Sequence, residues 1–151
     1  MLSLSDVTLL VAGVGSGLVA GLCFAFASFI MRSFDPLGAP QAIRAMQAIN
    51  RSILRSSAMG VWFGTAIAGV AAAVLAEDRS LPIAAAVLYG VGAILITGRG
   101  NVPLNEALDR VDPEAPGAVE VWRLYRERWG RWNAVRTVAC ALASAGFALA
   151  L

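Results

Sequence analysis

The sequence predicts an all-α membrane protein, an antiparallel four-transmembrane-helix bundle with two cytoplasmic helical loops, and three observations carry this. Of 151 residues, 58% are apolar and 15% charged, against roughly 45–50% and 25% in ordinary soluble domains. The mean hydropathy of +0.70 is concentrated in four stretches, residues 7–31, 53–76, 81–97 and 134–151. Each is at or near the ~20 residues that a helix needs to cross a hydrocarbon core of ~30 Å. Eleven of the twelve arginines fall on one side of this arrangement. The whole chain, 1–151, reads as a single domain.

The first span is too long for the apolar core of a signal peptide and is preceded only by Asp6, with no basic residue. It is expected to stay in the mature protein. Gly13, Gly17 and Gly21 recur at intervals of four and bare one helical face to a partner helix. Gly60 and Gly64 repeat the idea in the second span. A tight turn, Glu77 to Pro82, joins the second span to the third and holds the single opposite-side arginine, Arg79. By the positive-inside rule both termini lie outside the inner membrane and both long loops in the cytoplasm. The Asp112 to Gly117 stretch is a turn cluster between two cytoplasmic helices.

Composition also excludes chemistries. The chain has no histidine and no lysine, and Cys23 and Cys140 are far apart. Haem, the two-histidine iron site, catalytic zinc and C-x-x-C redox chemistry therefore lack their ligands, and no metal site is expected. Nucleic acid binding has little support at a net charge of +2. No carboxylate lies within the core of any span, unlike in proton-coupled carriers.

Polar groups instead gather beside the spans. On a helix over 42–57, Arg44, Arg51 and Arg55 form one stripe, read as an anionic-lipid contact. Another face carries Gln47 and, near its middle, Asn50, an amide that must find a partner where it is buried. On a helix over 120–136, Trp122, Tyr125, Trp129, Trp132, Asn133 and Arg136 fall within about 100 degrees. Aromatic anchoring at the headgroups explains the rings. It does not call for Asn133 and Arg136, and Arg136 stands about one turn inside the fourth span, where a charge needs a partner, water or a ligand. After the third span, two glycines release the backbone, and Asn101 with Pro103 reads as a helix start. Asn105 lies one turn on, followed by Glu106 and Asp109.

Met46-Gln47-Ala48-Ile49-Asn50, Asn101-Val102-Pro103-Leu104-Asn105 and Trp129-x-x-Trp132-Asn133-x-x-Arg136 together resemble the anthrone-oxygenase-like family of small four-span membrane proteins. The resemblance implies oxidation of a tricyclic aromatic polyketide by O2 without metal or organic cofactor. The residues it suggests for catalysis are Arg136, Asn101, Asn105 and Glu106. For substrate binding they are Gln47, Asn50, Tyr125, Trp129, Trp132 and Asn133. The base is open among Glu106, Asp109, Tyr125 and water. The partners implied are a small aromatic substrate, O2 and membrane lipid, with a homo-oligomer left open. The rival reading is a non-catalytic membrane subunit or a lipid- or small-molecule-binding membrane protein.

Overall fold

A computed structural model describes residues 1–151. The chain is helical throughout, with no strand. Helix α1, Leu4–Ala25, starts at a capping box. Ser3 Oγ accepts from the Asp6 amide at 3.1 Å, and the Asp6 carboxylate accepts from the Ser3 amide at 2.9 Å, so two orphan donors are met at once. The helix widens into π-helical Phe26–Ile30, recovers as α2, Met31–Ser33, and turns through Asp35–Leu37 into α3, Gly38–Ile53. Next come α4, Ser57–Leu75, and α5, Ser80–Tyr89, which continues through π-helical Gly90–Asn101 into α6, Val102–Asp109. The chain ends in α7, Ala118–Leu149, of 32 residues.

Three helical runs, Leu4–Ile53, Ser57–Leu75 and Ser80–Asp109, are long and apolar enough to cross a membrane. Of the four expected spans, the one within α7 does not join them by these measures. Its apolar C-terminal half follows Trp132, Asn133 and Arg136 and a strongly charged N-terminal half. The third run also outlasts its expected end at Thr97, reaching Asp109 without a break. Asn101 therefore starts no helix and makes no side-chain cap.

Close packing on α7 accounts for two of the four glycines in that run, Gly92 and Gly100. A Cβ on Gly92 would stand 2.5 Å from Ala139 Cβ, and one on Gly100 would stand 2.8 Å from the Trp132 ring. Contacts that short are unavailable to any other residue, so the bare backbone sets the approach of the two helices.

Helices α1, α4, α5 and α7 pack in a ring, α1 against α4 and α7, and α5 against the same two. Their core includes Ala12, Val19, Cys23, Trp62, Tyr89, Cys140 and Phe147. The glycine face of α1 is used only in part. Gly13 meets Phe147, and its carbonyl accepts from Ser144 Oγ at 2.8 Å, whereas Gly21, Gly60 and Gly64 face open space. The approach to α4 instead rests on Gly15, which leaves room for the Thr65 side chain.

A second core lies at the charged end, where Phe34, Ile43, Met46, Leu108, Trp122 and Tyr125 join α3 and α6 to α7. Buried Gln47 fastens it, donating through Nε2 to the carbonyls of Leu108 at 2.9 Å and Val111 at 3.0 Å. Arg44 pairs with Glu114 and Arg51 with Asp109, so two of the three arginines expected to face lipid are engaged by acids. Exposed pairs of this kind contribute about 0–1 kcal/mol each. Their effect is to orient α3 over the end of α6 and the segment that follows it.

Candidate functional site

The two cores do not merge, and the space between them is a cavity of about 530 Å³. That lies within the ~300–1,000 Å³ usual for small-molecule sites. Both π-helical segments border it, through Phe26 on one side and Ala93, Ile94, Thr97 and Gly98 on the other. Such widened turns expose backbone and side chains at angles an α-helix does not reach, and they recur at functional sites. Most of the lining is apolar. The polar groups come from α3, α6 and α7, with Thr97 from the segment before α6.

Arg136 is the most unusual of them. It is only 7% exposed, and it takes part in none of the seven ion pairs of the structure. Neutral groups hold it in place. Nε and Nη2 donate to Asn133 Oδ1 at 3.1 and 2.9 Å, and Nη1 donates to Thr97 Oγ1 at 3.3 Å. Asn133 is fixed in turn by donating through Nδ2 to the Cys23 carbonyl at 2.8 Å. The guanidinium carbon lies 5.1 Å from the Trp129 ring centroid and 5.7 Å from that of Trp62. Each cation–π contact offsets about 0.5–2 kcal/mol of the cost of burying the charge. A buried charge with no opposite partner still remains, and that is costly unless an anion meets it.

Further donors face the same space. The indole Nε1 of Trp129 and the amide Nδ2 of Asn50 are buried without a hydrogen-bond partner, and both residues line the cavity. The Tyr125 hydroxyl donates to Asn105 Oδ1 at 2.9 Å. Burial pushes the Tyr125 phenol well above the usual tyrosine range, against smaller opposing effects of the Asn50 amide and the Arg136 charge. Tyr125 thus remains a protonated donor at neutral pH. Two carboxylates stand at the rim. Asp109 is taken by Arg51, whereas Glu106 has only Arg110, at 3.8 Å.

Residues 46–146, well over half of the chain, match the family described as anthrone oxygenase. The chain belongs to the anthrone oxygenase family. No curated protein and no solved structure matches it at a significant level.

In this anthrone oxygenase family member, the matched stretch contains every residue that the sequence suggested for catalysis or substrate binding. Asn50, Asn105, Glu106, Trp129 and Arg136 line the cavity. Four others stand behind the wall. Gln47 joins α3 to α6, Asn133 orients Arg136, Tyr125 holds Asn105, and buried Asn101 donates to the Trp129 carbonyl at 3.3 Å. Trp132 is turned outward, 44% exposed, with its ring over Gly100. Trp62, Thr97 and Phe26 went unnoticed in the sequence, although each contributes to the wall and the first two touch Arg136. Trp62 is itself held at both ends, its Nε1 donating to the Ala93 carbonyl at 2.9 Å and its carbonyl accepting from Tyr89 at 2.9 Å. No three His, Cys, Asp or Glu side chains gather in a way that holds a metal.

Proposed function

We propose that this membrane protein binds a flat polycyclic aromatic of the anthrone type as its oxyanion and oxidises it with O2, without a metal or organic cofactor. The observation that carries this reading is Arg136, a buried guanidinium with no acid partner at the wall of an apolar cavity. A group that becomes anionic during reaction is the partner such a cation lacks.

The methylene hydrogens of an anthrone are acidic because the resulting anion is delocalised onto the ring oxygen. Arg136, with the Trp129 indole and the Asn50 amide, stabilises that oxygen, and the rings of Trp129 and Phe26 pack on the flat substrate. Glu106 takes the first proton, being the rim carboxylate without a close ion-pair partner. The anion gives one electron to O2, and the resulting pair combines into a hydroperoxide at the former methylene carbon. Loss of the second proton from that carbon with cleavage of the O–O bond leaves a carbonyl. Overall two C–H bonds break, one C=O forms, and the second oxygen atom leaves as water.

The same reading makes the C-terminal half of α7 a fourth span. It sets both chain ends outside the inner membrane and the arginine-rich end in the cytoplasm, from the eleven-to-one arginine asymmetry. Oxygen uptake in detergent with an anthrone, corrected for autoxidation, tests the chemistry. One O2 consumed per quinone formed, without release of peroxide, is expected. Wild-type protein no faster than background overturns it.

A further inference from the structure

The cavity has two unlike margins. On one, Arg51 and Asp109 pair across from α3 to α6 and strap the charged side. On the other, the lining residues are apolar and face outward: Leu54 is 69% exposed, Phe63 56% and Val102 39%. Exposed Gly98 lines the cavity with these three, and an added Cβ there would meet nothing.

Helix packing accounts for this gap. Helix α4 lies along α5 but parts from the π-helical continuation Gly90–Asn101. The Trp62-to-Ala93 and Tyr89-to-Trp62 hydrogen bonds close the upper end of the cleft, and the α3–α4 turn at Leu54 forms its lower end. Phe63, Gly98 and Val102 lie on two runs that are long and apolar enough to cross a membrane, and Leu54 in the turn beside them.

From this arrangement we infer that the cavity loads sideways from the bilayer, through a portal between α4 and the Gly90–Asn101 segment. The ligand class is a membrane-dissolved, planar aromatic with one ionisable oxygen. The apolar body passes Phe63, Gly98 and Val102, and the oxygen ends against Arg136 on the inner wall. This inference rests on the binding half of the proposed function and not on the oxidation.

The test uses the full chain in lipid nanodiscs and a hydroxyanthraquinone probe, which quenches the fluorescence of Trp62 and Trp129 without needing turnover. Stopped-flow association should follow the mole fraction of probe in the lipid, not its free aqueous concentration. Gly98→Phe places a bulky ring at the portal, where a Cβ meets nothing, and should slow association and dissociation together by about tenfold, so that both rates change more than Kd. Gly98→Ala should behave as wild type. Arg51→Ala, which unties the charged margin, should leave the rate unchanged. Rates that follow the aqueous concentration, ignore Gly98→Phe and rise in Arg51→Ala overturn the portal while leaving the site intact. Binding without oxidation overturns only the chemistry proposed above, and no quenching at any probe concentration overturns both.

Discussion

Asn133→Asp changes the charge around Arg136 with little change in shape. In the wild type, Asn133 Oδ1 accepts from Nη2 at 2.9 Å and from Nε at 3.1 Å. A carboxylate there accepts both N–H groups as a charge-assisted pair, while its second oxygen, in the place of Nδ2 at 2.8 Å from the Cys23 carbonyl, has to turn away from that oxygen. The cost is the Asn133 Nδ2 bond to the Cys23 carbonyl, about 1 kcal/mol. That carbonyl keeps the Phe26 amide as a donor. Two charges at about 4 Å attract by roughly 4 kcal/mol at an effective dielectric of 20, which offsets the desolvation of the new carboxylate at this fully buried position. The variant should therefore stay folded, with an unfolding temperature near that of wild type. Its site, however, no longer offers an unmatched cation. Anthrone oxidation should fall by about 100-fold or more, the scale of losing one oxyanion donor. Thermal unfolding and oxygen uptake on the same detergent preparation measure both. A stable Asn133→Asp protein with wild-type turnover would refute the claim that the free charge of Arg136 is used.

Other outcomes follow from the same geometry. Gln47→Ala withdraws the donor from the Leu108 and Val111 carbonyls and should lower stability by about 1–2 kcal/mol, read as a shift in thermal unfolding. Because the folded state raises the Tyr125 pKa, its stabilising contribution is complete below the unfolded value of about 10 and is lost as pH rises beyond it. Unfolding temperature should therefore drop above about pH 10, with a shallower drop in Tyr125→Phe. Reporter fusions at Glu77 and at the C-terminus should signal the outside, and those at Gly38 and Pro116 the cytoplasm; a cytoplasmic signal at Glu77 reverses the proposed orientation.

The helical periods in the sequence located the parts of the site that lie on one face of one helix. Trp122, Tyr125, Trp129, Asn133 and Arg136 are buried together on α7, because a 100-degree advance brings those positions round to one side. Trp132 stands at the edge of that arc, about 60 degrees from Trp129, and there the helix already turns away from the core. Asn101 was misread for a different reason. Asparagine and proline after two glycines is good local chemistry for a helix start, but packing on α7 carries the helix straight through, and the Asn101 amide is spent on the Trp129 carbonyl. Trp62 and Thr97 gave no signal of their own. A lone indole or hydroxyl in an apolar span looks like packing, and its meeting with Arg136 depends on the crossing of three helices. The clue available was four glycines within one short stretch, Gly90, Gly92, Gly98 and Gly100, in a helix that departs from α geometry and lies close to α7 at Gly92 and Gly100.

Arg136 is the point on which the functional reading turns, and substitution there tests it most directly. Oxygen uptake with an anthrone, corrected for autoxidation, should fall by about 100-fold or more in a folded Arg136→Ala protein. It should recover only in part in Arg136→Lys, since an ammonium supplies the charge without the planar fork that Asn133 and Thr97 hold. Full activity in folded Arg136→Ala protein would contradict the assignment.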